Sequence, residues 1–274
     1  MTTSQEFIFN QICQTALKTF ARTTSDSNPT LHFKSTPEEF KSNLGQLKQI
    51  VNNLKYCDLG LEKSKSIIDP DNQEAPVTYI NVLKHTDVSI GIFIIKSGSR
   101  IPLHNHPNMH GLLKVVYGTV DIKEYTKCKP DSVKDTEFPA LLQENPHLNL
   151  KERGFCFPAD KKVCTNVKSS CDAIVLSPDE NNYHEIHTVG EGPAAFFDIL
   201  APPYLPLSSL GLVDDLESSE DEPRDCNFFE EHIFKPSPST TSTNPSNPVW
   251  LRMIKCPADY ESDTEPYLGP PLLL

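Results

Sequence analysis

His104 and His106 sit two residues apart where a β-rich run ends, and this pair limits the possible folds more than any other feature of the chain. Along an extended strand, residues i and i+2 point to the same face, so both imidazoles are directed to one side. Burying two imidazoles together without a partner is costly, and a shared first-row metal ion would give both of them one. Such a pair needs a sheet that closes around it. The surrounding sequence supplies β-rich runs at Val77–Leu83, Val88–Ile95, Gly111–Val116, Thr119–Tyr125, Gly154–Phe157, Ala173–Ser177 and Ala194–Leu200, with Gly, Pro, Asn and Asp clustered between them. That rhythm predicts a mainly β fold, an antiparallel sandwich or barrel, without an internal repeat.

Helical spacing belongs to the N-terminal part. Ser4 to Arg22 places Phe7, Ile8, Ile12, Leu17 and Phe20 roughly on one face. A second helix opens with Thr36 as cap, Pro37 in the first turn and Glu39 three residues after the cap, followed by a stripe of Phe40, Leu44, Leu47, Ile50, Val51 and Leu54. Both are expected to pack outside the sheet. The chain of 274 residues reads as a single domain: a helical segment over 4–56, a barrel over 77–234, an insertion over 236–248 and a C-terminal segment over 249–274. The insertion is almost all Pro, Ser, Thr and Asn, and Asp214 to Arg224 is strongly acidic; neither has enough apolar surface to offset the entropy of ordering.

Charge and cysteine usage exclude several classes. A formal net charge of −12 disfavours a nucleic-acid partner. No stretch approaches the ~20 apolar residues of a membrane span. The eight cysteines form no C-x-x-C pair, and no secretory leader precedes them, so reduced thiols and a cytoplasmic location, with or without a nuclear share, are expected.

A third metal ligand should come from a later strand, and Asn181-Asn-Tyr-His184-Glu-Ile-His187 holds two candidates. His184 and His187 are three apart, so they face opposite ways and only one enters the site; spacing does not choose between them. His32, His85, His147 and His232 read as ordinary core or surface residues. The segment Gly98 to Gly118 matches the first cupin motif, Gly-x5-His-x-His-x3–4-Glu-x6-Gly, except that His110 or Gly111 stands where the glutamate belongs. Three neutral imidazoles without a carboxylate leave the charge of a dipositive ion uncompensated, which favours an incoming anion such as a thiolate. Iron(II) suits such a site for redox chemistry with O2; zinc could take the same ligands but does not activate O2.

At these residues the chain closely resembles the cysteamine (2-aminoethanethiol) dioxygenase and plant cysteine oxidase family. The resemblance rests on Ile101-Pro-Leu-His-Asn-His-Pro-Asn-Met-His-Gly-Leu-Leu-Lys-Val-Val-Tyr-Gly118, on Asn182-Tyr-His-Glu-Ile186 and on Glu191-Gly-Pro-Ala-Ala-Phe-Phe-Asp-Ile-Leu-Ala-Pro-Pro-Tyr204, with a weaker piece at Glu265-Pro-Tyr-Leu-Gly-Pro270. It implies a cupin double-stranded β-helix holding Fe(II) on His104, His106 and His184. It also implies a monomer, and addition of O2 to the sulfur of cysteamine or of a protein N-terminal cysteine, a reaction that marks such proteins for degradation and can serve oxygen sensing. Asp198 and Tyr204 match residues that the family places beside the metal, where Asp198 would meet the substrate ammonium. One departure stands out: animal members carry a Cys-x-Tyr pair able to form a thioether crosslink, and here Cys226 is followed by Phe228. The contrary readings are a non-catalytic metal-binding cupin acting as a ligand-binding or regulatory module, and a cupin isomerase or decarboxylase.

Overall fold

The structure, a computed structural model, describes residues 4–23, 33–128, 156–205, 224–232 and 249–273. The stretch 236–248, the acidic residues 214–223, His32 and His147 lie outside the described residues.

Among the described residues two long helices, α1 (Ser4–Thr19) and α2 (Pro37–Asn52), and a single turn, α3 (Lys65–Ile68), precede the sheets. The start of α2 is fixed as the sequence predicts: Thr36 Oγ1 accepts from the Glu39 N–H at 3.3 Å, and Glu39 Oε2 accepts from the Thr36 N–H at 2.9 Å. Helix α1 ends one turn short of the expected Arg22. Arg22 instead makes a β-bridge with Phe33, and its Nε donates to Asp87 Oδ1 at 2.7 Å.

Among the described residues twelve strands follow: β1 (Val77–Lys84), β2 (Ser89–Ile95), β3 (Arg100–Asn105), β4 (His110–Tyr117), β5 (Thr119–Lys127), β6 (Cys156–Lys168), β7 (Ile174–Leu176), β8 (Tyr183–Thr188), β9 (Ala194–Ala201), β10 (Phe228–His232), β11 (Val249–Ile254) and β12 (Ser262–Thr264). One sheet has the order β12-β1-β2-β9-β4-β7; the other, β10-β11-β6-β5-β8-β3, closes on itself as a barrel. Within these, β2-β9-β4-β7 faces β3-β8-β5-β6, and the chain passes back and forth between the two. This is the jelly-roll topology of the cupin double-stranded β-helix, as expected.

Alternation along the strands sorts side chains into three interiors. Phe9, Ile12, Phe20, Leu47 and Val51 of the helices pack on Ile90, Ile92, Phe197 and Ile199 outside the first sheet. Ile95, Ile101, Leu113, Ile122, Ile186 and Phe196 fill the space between the sheets. Leu103, Tyr125, Phe229 and Leu251 fill the inside of the closed barrel. Strand β6 was visible in the sequence only at its start, because most of Lys161 to Lys168 is exposed and polar. Strand β11 returns from beyond the insertion to pair with β6 and β10. Glu265 anchors the segment after β12, accepting from the Ser66 and Lys65 N–H groups at 2.8 and 3.1 Å.

Two motif glycines have a backbone reason. Gly98 and Gly118 hold φ of +71° and +68°, in the left-handed region, and a Cβ at Gly118 would lie 2.4 Å from Pro193 O. Among the described residues no helix is long and apolar enough to cross a membrane.

Candidate metal centre

Strand β3 carries His104 near its end, and His106 follows just past it. The register between β3 and β8 shifts between Ile101 and His104, so that His104 pairs directly with His184 of β8. A shift of this kind re-aims side chains at a strand end. His104, His106 and His184 are brought together with ligand-capable atoms all within 4.8 Å of one another, the one such cluster among the described residues. All three are buried, at 7, 2 and 4% exposure. His187 leaves the opposite face of β8, where its Nε2 lies 3.0 Å from Glu185 Oε2.

Hydrogen bonds settle which nitrogen of two rings faces inward. His104 Nδ1 donates to Pro102 O at 2.8 Å. The Tyr204 hydroxyl donates to Asn105 O at 2.7 Å and accepts from His106 Nδ1 at 2.8 Å. Both Nε2 atoms are thereby left without a proton, as metal ligation requires. His106 Nε2 and His184 Nε2 lie 3.1 Å apart, close enough to share a proton or a cation between them. Desolvation holds His104 down at about 4, and desolvation, followed by the neighbouring imidazoles, holds His106 and His184 well below the ordinary histidine value. The rings are therefore neutral at physiological pH. A metal ion fits this donor set better than protonation does.

The cluster opens into a cavity of about 200 Å³ whose walls include Phe93, Phe196, Asp198, Tyr204, Phe228 and Tyr260. Of the lining residues, Cys226 is exposed, so the cavity opens on its side. Asp198 reaches the wall from β9, where it pairs with Gly91 and Leu113. It is buried at 5% exposure, its Oδ1 has no hydrogen-bond partner, and desolvation raises its carboxyl to about 7. An incompletely partnered carboxyl in an aromatic cavity is built to receive a cation or a donor. Burial likewise raises the Tyr204 phenol well above its usual value, so it remains a neutral hydroxyl.

His110, at the position of the missing glutamate, belongs to another interior. Its ring packs against Phe40, Phe33 and Phe20, with centroids 5.0, 5.5 and 6.5 Å away. Gly111 pairs with Leu176 and Leu200 in the sheet. Neither supplies a carboxylate to the cluster. His85 Nδ1 accepts from the Asp87 N–H at 3.1 Å and His232 Nε2 contacts Glu230 at 2.8 Å, ordinary surface roles.

One supporting residue was not singled out from the sequence. Asn182 donates through Nδ2 to His106 O at 2.7 Å and to Ser177 O at 2.9 Å, and its own carbonyl accepts from the His106 N–H at 3.1 Å. It clamps the turn after His106 to the strand that carries His184. Its position two residues before His184 was the available signal.

Residues 50–272 match the PCO_ADO family model. The chain is 34% identical over 235 residues to 2-aminoethanethiol dioxygenase of Homo sapiens, covering 84% of this chain and 82% of that protein. It is 30% identical over 224 residues to Plant cysteine oxidase 1 of Arabidopsis thaliana, covering 74 and 69%. With a match over most of its length and a buried three-histidine cluster in a cupin barrel, the chain belongs to the PCO_ADO family.

Proposed function

We propose that this protein is an iron(II)-dependent thiol dioxygenase, which adds both atoms of O2 to the sulfur of an aminothiol and yields a sulfinic acid. The substrate is cysteamine or the N-terminal cysteine of a peptide or protein, the thiol chemistry that the relatives' names describe. The observation that carries the reading is the pairing, in one cavity, of three neutral histidines lacking a carboxylate with the incompletely partnered carboxyl of Asp198.

His104, His106 and His184 would hold the iron, which when bound supplies the one-electron chemistry that lets a thiolate react with triplet O2. The remaining work falls to the chain's own groups. Pro102 O and the Tyr204 hydroxyl fix the His104 and His106 rings, keeping both Nε2 lone pairs directed inward. Asp198 takes the substrate ammonium; burial that raises its carboxyl also strengthens the ion pair once a cation enters. Phe93, Phe196 and Phe228 keep water from the reacting sulfur. A cavity of about 200 Å³ accommodates one cysteine-sized unit, so a longer peptide would leave past Cys226. The cysteines form no C-x-x-C pair, which supports a reducing, cytoplasmic setting with or without a nuclear share, and we read the protein as a monomer.

The test is to load the protein anaerobically with Fe(II) or with Zn(II), then follow oxygen uptake with cysteamine, with a short Cys-initiated peptide and with a thiol lacking the amine. The iron form is expected to consume O2 with either aminothiol and poorly with the amine-free thiol, and the zinc form to consume none. Fully iron-loaded protein that takes up no oxygen with any thiol would overturn the reading and leave a non-catalytic metal-binding module.

A further inference from the structure

Phe228 offers no phenol oxygen to Cys226, and the thiol of Cys226 turns instead to the Tyr204 hydroxyl in the cavity wall. A second thiol lies across from it. Strands β10 and β11 pair antiparallel with Phe228 opposite Ile254, Phe229 opposite Met253 and Glu230 opposite Arg252. The ladder ends at that first pair, and Cys226 and Cys256 each lie two residues beyond it, at equal spacing from Phe228 and Ile254. Both segments beyond the ladder are held. Asn227 exchanges backbone and side-chain hydrogen bonds with Asn105 at 3.1 and 2.9 Å, and Tyr260 N–H closes a turn onto Pro257 O at 3.1 Å. The two thiols act electrostatically on each other, and both act on the Tyr260 hydroxyl at the cavity mouth. Neither cysteine is in a disulfide; Cys256 is exposed, and Cys226 has exposed surface while its sulfur is desolvated against the cavity wall.

We propose that Cys226 and Cys256 form a dithiol site at the mouth of the metal cavity that becomes a disulfide by exchange with low-molecular-weight disulfides, including the oxidised form of an aminothiol. Continuing the ladder by two residues on each strand would bring their Cα atoms to about 4.5–5.5 Å, within the range that a disulfide spans. The exchange runs in two balanced steps. Cys256, as thiolate, attacks RSSR; its sulfur gains a bond to one RS group, and RS⁻ leaves with the electron pair of the broken S–S bond. The Cys226 thiol then loses its proton to solvent and displaces the second RS⁻, closing Cys226–Cys256. In sum, two protein thiols and one RSSR become one protein disulfide and two RSH. Cys256 leads because desolvation holds the Cys226 thiol up at about 11, where little thiolate exists. The bond would tie β10 to the segment after β11 across the open side of the cavity. Its effect on turnover rests on the proposed function; its formation does not.

The iron-loaded full-length protein is incubated with cystamine, the disulfide of cysteamine, quenched in acid with an alkylating agent, and mapped by peptide mass. A linked peptide pair containing Cys226 and Cys256, with no half-cystamine left on either, is expected. Oxygen uptake with a Cys-initiated peptide should fall several-fold and return on reduction. Cys256→Ser is expected to keep its basal activity and to lose this sensitivity, while Cys226→Ser traps a mixed disulfide on Cys256. Recovery of both cysteines fully alkylated, or a stable mixed disulfide on the unsubstituted protein, overturns the proposal. A linked pair in a protein that never consumes oxygen would instead sink the dioxygenase reading and leave the dithiol site standing.

Discussion

His184 and His187 lie on one strand and differ in the face from which they leave it. His184 joins the cluster, and His187 meets Glu185 on the opposite face. His184→Ala is therefore expected to abolish metal loading and oxygen uptake, and His187→Ala to retain both; metal content by atomic emission separates the two. Tyr204→Phe removes the acceptor for His106 Nδ1 and should weaken metal binding by about 10–100-fold, as loss of such ligand-orienting bonds generally does, measured by competition with a chelator. Asp198 supplies a pH dependence. Its carboxyl is neutral below about 7 in the free protein and must ionise to hold an ammonium. KM for cysteamine should then rise as pH falls through that value, whereas Asp198→Asn should show a high KM at every pH with its metal content intact. The His-x-His pair was legible in the sequence because two-residue spacing fixes a shared face. The choice of His184 over His187 needed the family resemblance, since opposite facing does not reveal which face is inward. Asn182 was not legible as a clamp, because its partners His106 and Ser177 meet it only after β3 and β8 pair.

Local signals located the helices and missed parts of the sheets for an identifiable reason. Helix α2 begins with a complete capping box, and Thr36→Ala should cost about 1 kcal/mol, the usual cost of losing such a cap, read as a shift in urea midpoint. Gly118→Ala should cost more. It forces a Cβ into the left-handed region and against Pro193 O, so the turn between β4 and β5 must move. Buried strands such as β2 and β9 announce themselves through continuous apolar runs. Strand β6 does not, since Ala159 and Val167 are its buried residues and the rest meets solvent or polar partners. Strand β10 has the same character: Glu230, Glu231 and His232 make ion pairs rather than core contacts. The end of α1 was overestimated because Arg22 fits a helical pattern locally, while its ion pair with Asp87 lies 65 residues away in sequence.

At the scale of the whole molecule, the cupin barrel explains why a metal centre can sit where it does. His104 and His184 lie on adjacent strands of one sheet with His106 just past β3, Asp198 comes from the facing sheet, and Tyr204 follows β9, so the cavity exists only once the two sheets are stacked. Metal binding is thereby linked to folding, and stripping the ion with a chelator should lower the melting temperature, with recovery on adding Fe(II). The central claim is that both oxygen atoms of the product come from O2. The measurement that tests it most directly is turnover of a Cys-initiated peptide by the iron-loaded protein under ¹⁸O2, with mass analysis of the oxidised peptide. A sulfinic acid carrying two labelled oxygens is the expected result, and a product labelled once or not at all, with the remaining oxygen drawn from water, would contradict the account.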